Sequence, residues 1–249
     1  MTSQPRTSSD GPSGDADVSP LFTPFDLGEF ALANRFVMAP MTRAQSPAGV
    51  PGEDVAEYYA RRAQLGLIVT EGTFIDHPTA GGSDRIPRFY GEASLAGWSR
   101  VVEAVHTAGG RIFPQLWHVG ATRSDGAPPH PEASVLSPSG LGLDGSPKGV
   151  AATAKDLDEL IASFARAAKN AQAIGFDGIE LHGAHGYLLD EFFWPVTNRR
   201  TDGYGGDIAG RVRLSAEIVA AIRAEVGADF PISYRFSQWK GGHFDARFA

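Results

Sequence analysis

The sequence predicts an α/β fold in which a parallel sheet is covered by helices. Three observations point that way. Short apolar runs alternate with longer amphipathic segments along the chain, as strand–helix–strand units require. The 249 residues, 42% of them hydrophobic, can bury one sizeable core, and α/β barrels of about 250 residues form single domains. Polar and aromatic residues gather just past the apolar runs, at the strand ends where ligand loops of such folds collect.

The first twenty residues, MTSQPRTSSDGPSGDADVSP, are rich in Ser, Pro, Gly and Asp. They lack the apolar core of a signal peptide and cannot repay the entropy of ordering. A disordered tail over 1–20 and a single domain over 21–249 are expected. Phe36 to Pro40 reads as a first buried strand stopped by proline. A helix over Glu53 to Gln64 leads to a second strand, Leu67 to Thr70, ending in Glu71-Gly72. The next helix covers Ser94 to Ala108, with Ser94 as N-cap and Trp98, Val101, Val102 and Val105 on one face. Arg111 to Leu116 is the third strand. A helix over Asp156 to Ile174 carries Leu157, Leu160, Ile161, Phe164 and Ala168 at helical spacing and stops at Gly175. Gly178 to His182 is the fourth strand. A helix over Arg211 to Val226, stopped by Gly227, precedes the fifth, Pro231 to Arg235. The connections His118 to Ala152 and Gly183 to Asp207 are long, as functional loops are. Five strands fit either an open five-stranded sheet or the N-terminal part of an eight-stranded barrel.

Composition narrows the function. Lys+Arg 22 against Asp+Glu 29 gives a net charge of −7, without a basic run. That argues against nucleic acid or an anionic membrane as partner. No window approaches 18 consecutive apolar residues, so no membrane span is expected. The absence of cysteine removes disulfides, thiolate metal sites and cysteine nucleophiles, and fits a cytoplasmic setting.

Chemistry-bearing residues recur at one end of the strands. Pro40, Met41 and Thr42 follow the first strand, and Gly72, where backbone can approach a planar ligand, follows the second. Gln115, Trp117 and His118 close the third; His182, His185 and Tyr187 follow the fourth; Arg235 ends the fifth. Each has a plainer reading. Thr42 caps a turn, Gln115 satisfies backbone, Arg235 pairs with a carboxylate such as Glu180, and Tyr187 fills the core. Glu180, His182 and His185 also read as Glu-x-His-x-x-His, a ligand set suited to zinc or iron in a metal-dependent barrel hydrolase.

The segments LFTPFDLGEFALANRFVMAPMTRA, TEGT, PQLWHVG, GFDGIELHGAHGYLLDEFFWPVTNRRTDGYGG and ISYRFSQWK, in that order, resemble the Old Yellow Enzyme family of FMN-dependent ene-reductases. The resemblance runs from about Leu21 to Ala249. It implies a TIM (β/α)8-type barrel of which about the first five βα units are present, with FMN at the C-terminal face. It implies that Pro40, Met41 and Thr42 line the flavin, that Gly72 lets backbone approach the ring, and that Gln115 bonds its pyrimidine edge. Arg235 is implied beside flavin N1 and O2, where a cation stabilises the reduced ring. His182 and His185 would donate to the carbonyl of an enone, Tyr187 would protonate its α-carbon, and Trp117 would shape the pocket. NADPH or NADH is the implied reductant and a small activated alkene the substrate. Thr42 stands where one branch of the family has Cys. The family holds the FMN phosphate on loops after strands seven and eight. The resemblance therefore also implies a chain truncated after the fifth barrel strand, and a catalytically incompetent member is the alternative. The full constellation favours flavin over metal.

Overall fold

Residues 16–28, 30–240 and 243–244 are described by a computed structural model. The tail expected over 1–20 falls mostly outside them; residues 16–20 are exposed, and Ser19–Phe22 close a 3-10 turn. A hairpin follows, β1 (Phe25–Leu27) against β2 (Phe30–Leu32). The apolar runs then build the main sheet from β3 (Val37–Met38), β4 (Leu67–Phe74), β5 (Ile112–Trp117), β8 (Ile179–His185) and β9 (Ile232–Lys240). These five pair in parallel in that spatial order, and β10 (His243–Phe244) adds an antiparallel edge to β9. Between them run α1 (Glu53–Ala60), α2 (Glu92–Thr107), α3 (Ala154–Ala173) and α5 (Ile208–Val226). The sheet curls into a partial barrel.

Side-chain alternation along the strands gives the sheet two faces. Ile68, Ile112, Leu116, Ile179 and Leu181 point outward and join Trp98, Phe164, Leu214 and Ile218 of the helices in the main core. Each such side chain contributes about 1.5–3 kcal/mol on burial. Leu67, Val69 and Phe113 point inward and pack with Leu32 and Phe30 of the hairpin. This inner face lines a hollow of ≈ 730 Å³ that also reaches Glu180, Ser233 and Arg235.

Several boundaries differ from the sequence expectation for identifiable reasons. The helix expected to start at Asp156 begins two residues earlier, because Thr153 and Asp156 form a reciprocal capping box. The helix expected from Arg211 begins at Ile208, capped by Asp207, which accepts from Gly210 N at 2.9 Å. Ser94 is no cap: its hydroxyl donates to Gly49 O, and α2 starts at Glu92. The first helix stops at Ala60 rather than Gln64, the chain passing into turns. Strand β4 runs through Glu71-Gly72 to Phe74 by shifting register between Val69 and Gly72.

The two long connections are built structures. The first contains a short parallel pair, β6 (Leu136–Ser137) with β7 (Val150–Ala151). It is pinned by Arg123, whose buried guanidinium donates to the carbonyls of Gly81, Ala127, His130 and Ala133 at 2.6–2.8 Å. The second starts inside β8 and folds α4 (Leu188–Phe193).

Candidate active site

Strand register assembles the site. Gly72 on β4 is paired with Gln115 on β5, Gln115 with Glu180 on β8, and Glu180 with Ser233 on β9. One row of inward-facing positions thus crosses four strands. Glu180, 3% exposed, is its hub. Its Oε1 accepts from Gln115 Nε2 at 2.9 Å and from Arg235 Nε at 2.8 Å, and its Oε2 accepts from Ser233 Oγ at 3.0 Å. The plainer reading of Arg235, as a partner of Glu180, therefore holds in the structure. The guanidinium nonetheless keeps N–H groups that Glu180 does not engage, since it offers five donors in all.

One step nearer the carboxyl ends of the strands, four rings meet. Trp117 lies edge-on to Tyr187, with centroids 4.8 Å apart, and near-parallel to His182 at 5.7 Å. His182 is 4.9 Å from Tyr187 and 5.4 Å from His185, both edge-to-face. Gly72 makes this possible. A Cβ there would come within 2.4 Å of the Trp117 indole, so the close approach expected at Gly72 is made on that side by tryptophan. A cleft of ≈ 340 Å³ opens beside the rings, lined by Phe74, Trp117, Leu143, His185 and Tyr187.

The backbone that presents these rings is held tightly. His185 sits at φ +62°, a left-handed conformation that costs a non-glycine residue about 1–2 kcal/mol. Its N–H donates to Ser237 Oγ at 3.0 Å, Gly186 N–H to Asp190 Oδ2 at 2.8 Å, and Tyr187 N–H to Ala184 O. Leu188 N–H donates to His118 O, which locks the start of α4 onto the end of β5.

Electrostatics suit neutral donors. Burial, with His185 and Arg235 nearby, lowers the His182 pKa to about 3, so its imidazole is uncharged at neutral pH. Burial raises the Tyr187 phenol above its usual value, so it keeps its proton. His182 Nδ1 and Trp117 Nε1 are both buried without a hydrogen-bond partner among the described residues. An unsatisfied buried polar group costs about 1–3 kcal/mol, which a ligand's polar atoms would offset.

The expected flavin-lining segment sits apart from the rings. Met41 and Thr42 are exposed and Pro40 half-buried in the loop after β3. That loop is tied to the site's edge because Arg43 N and Ala44 N both donate to Glu71 Oε2, at 3.0 and 3.3 Å. Burial raises the Glu71 pKa, and the Glu71 backbone N–H donates to the Tyr59 hydroxyl at 2.8 Å. Sequence reasoning missed this anchor; TEGT marked the segment but not the acid's role.

It also missed a chain of side chains behind Trp117. His118 Nδ1 accepts from Gly120 N–H, which leaves its proton on Nε2 to donate to Thr79 Oγ1 at 2.9 Å. Thr79 in turn donates to His77 Nδ1, also at 2.9 Å. Glu191, buried and raised well above the usual carboxylate range by desolvation, accepts from Ala121 N at 2.7 Å and fixes the same loop. No spacing rule marks these residues.

Glu180 does not act as a metal ligand in this arrangement, because its oxygens already accept from Gln115, Ser233 and Arg235. Among the described residues no group of three His, Cys, Asp or Glu is placed to hold a metal ion. The donors across the row are instead an amide and a guanidinium, the set that matches an electron-accepting heterocycle carrying carbonyls and an N–H. The residues fit FMN by that chemistry.

The NADH:flavin oxidoreductase / NADH oxidase family model matches residues 20–245. The chain belongs to that family. It is 41% identical over 224 residues to a 12-oxophytodienoate reductase of Oryza sativa subsp. japonica, covering 85% of this chain and 57% of that protein. A chanoclavine-I aldehyde reductase of Penicillium roqueforti is 40% identical over 233 residues, covering 89% and 61%. Among solved structures, morphinone reductase superposes with a TM-score of 0.85 at 36% identity, over 91% of this chain and 65% of that one. Old Yellow Enzyme from Pichia sp. superposes at 0.82 with 33% identity, over 89% and 61%. The family member thus spans 57% of the rice reductase's length. Within the described residues no helix is long and apolar enough to cross a membrane.

Proposed function

We propose that the protein binds FMN at the carboxyl ends of its parallel strands and reduces the C=C bond of a small activated alkene, with NADPH or NADH as reductant. The observation that carries this reading is the grouping of Trp117, His182, His185 and Tyr187 directly beyond the Gln115–Glu180–Arg235 row. FMN, held by Gln115 and Arg235, would supply the two-electron hydride chemistry that links the nicotinamide to the alkene.

The chain's own residues do the rest. Gln115 and Arg235 bind and orient the cofactor's polar edge, Gly72 admits backbone beside it, and Pro40, Met41 and Thr42 line it. His182 and His185 donate to the substrate carbonyl oxygen, where negative charge builds during hydride addition. A neutral His182 does this without competing for the proton. Tyr187 holds a proton at neutral pH and delivers it to the α-carbon. Trp117 excludes water and orients the substrate. The reading places one enzyme domain over 21–249 in the cytoplasm, acting on small molecules without a nucleic-acid or membrane partner.

Anaerobic half-reactions test it. NADPH or NADH should bleach the flavin absorbance of the FMN-loaded protein, and a cyclic enone should restore it. A protein whose flavin is bleached by neither nucleotide, or that copurifies with stoichiometric zinc or iron, contradicts the reading.

A further inference from the structure

We infer that Glu180 is a positioning residue that fixes which atoms Gln115 and Arg235 present to the cofactor and, by its charge, holds down the reduction potential of FMN bound beside them; this rests on the flavin reading above. Two consequences follow from the geometry around the carboxylate.

The first is orientation. A glutamine side chain can turn its amide either way, because oxygen and nitrogen occupy nearly the same volume. Here Gln115 Nε2 is committed to Glu180 Oε1 at 2.9 Å. The amide oxygen and the second Nε2 proton are what remain for a ligand, an acceptor beside a donor. That pair complements an imide edge, in which an N–H adjoins a carbonyl. Arg235 is fixed the same way: Nε is spent on Glu180 Oε1 at 2.8 Å and Nη2 leans on Oε2 at 3.5 Å, which leaves Nη1 for a ligand.

The second is charge. The Glu180 side chain is 4% exposed and Arg235 31%, so water screens the pair weakly. A lone guanidinium would strongly favour the more negative, reduced state of a neighbouring cofactor. Paired with a carboxylate in contact, it contributes a dipole in place of a full charge. Glu180 therefore trades potential for geometry, and its removal and the removal of Arg235 act on the potential in opposite directions.

Glu180→Gln separates the two roles. Its amide oxygen still accepts from Gln115 and Arg235, and its amide nitrogen donates to Ser233 Oγ, so the packing survives while the charge is lost. Expected is an approximately tenfold rise in the ratio of reduced to oxidised FMN affinity, which is about 30 mV upward for a two-electron couple. Arg235→Met should move the ratio the other way. An unchanged or lowered ratio in Glu180→Gln overturns the inference.

A flavin-independent measurement accompanies it. In the FMN-free protein, the Arg235 Nε–H cross-peak should be protected from solvent exchange in the wild type and exchange at least tenfold faster in Glu180→Ala. Equal exchange in the two proteins overturns the positioning role. Should the folded wild type take up no FMN at all, the flavin reading itself fails, and the exchange measurement alone decides whether Glu180 positions Arg235.

Discussion

Phe113 and Trp117 stand on the same strand, four residues and about 13 Å apart, yet their surroundings have little in common. Phe113 packs with Leu67, Val69, Leu32 and Phe30, all apolar. Trp117 lies against the His182 imidazole and the Tyr187 phenol, and its own N–H is buried without a hydrogen-bond partner among the described residues. Between them, at Gln115, the row switches from hydrocarbon to an amide–carboxylate–guanidinium chain. The amino-terminal half of the inner face is apolar and packs against the hairpin. The carboxyl-terminal half carries two buried polar atoms, Trp117 Nε1 and His182 Nδ1, with no hydrogen-bond partner among the described residues. A barrel-type sheet thus separates stability from chemistry along each strand, and substitutions at the two ends should separate in the same way.

The largest effect is expected at the apolar end. Phe113→Ala leaves a cavity under the hairpin and should cost about 3–5 kcal/mol in urea unfolding. The four-ring cluster should keep its geometry, read from an unchanged Trp117–Tyr187 cross-relaxation. At the other end, Tyr187→Phe should scarcely alter stability. It should slow alkene reduction about 10²–10⁴-fold, the usual worth of a positioned proton donor, with cofactor reduction by NAD(P)H retained. Equal loss in both half-reactions would remove Tyr187 from its role.

Acid sharpens the comparison further. The folded pKa of His182, about 3, lies below the ordinary 6.5. Unfolding therefore takes up a proton between those values. This group's stabilisation is complete above pH 6.5 and is lost as pH falls toward 3, at up to about 1.4 kcal/mol per pH unit. His77 and His118, whose pKa values are also lowered by burial, add slope of the same sign. His182→Gln should remove about one proton's worth of that slope in acid-dependent unfolding; an unchanged slope would mean that His182 is charged in the fold. The smallest effect concerns binding alone. His182→Ala should weaken phenol or enone affinity about tenfold, near 1.4 kcal/mol, with FMN affinity retained, as measured by ligand perturbation of the flavin spectrum.

Much of this was legible in the sequence. The five strand runs, the stops at Gly175 and Gly227, and the ring-bearing segment from His182 to Tyr187 are local patterns that a sequence displays directly, although β8 and β9 run past their expected ends at His182 and Arg235 to His185 and Lys240, so that His182, His185 and Arg235 lie within strands. Helix starts were less legible, because Thr153 and Asp207 act through hydrogen bonds to residues three places on. The Glu71 anchor and the His77–Thr79–His118 chain were not legible. They join residues 27–41 positions apart through the tertiary fold: Glu71 with Arg43 and Ala44, and His77 and Thr79 with His118. Thr42 shows a further limit. It lies four residues past the end of β3, in a loop tied to Glu71 through the backbone N–H groups of Arg43 and Ala44.

The most direct test of the account is a titration of the folded protein with FMN, followed by flavin fluorescence. Saturable quenching at one FMN per chain, weakened at least tenfold by Arg235→Met and by Gln115→Leu, is the predicted result. A folded chain that leaves FMN fluorescence untouched, or binds it equally well without Arg235 and Gln115, would contradict the claim that the row across β5, β8 and β9 is a cofactor-binding edge.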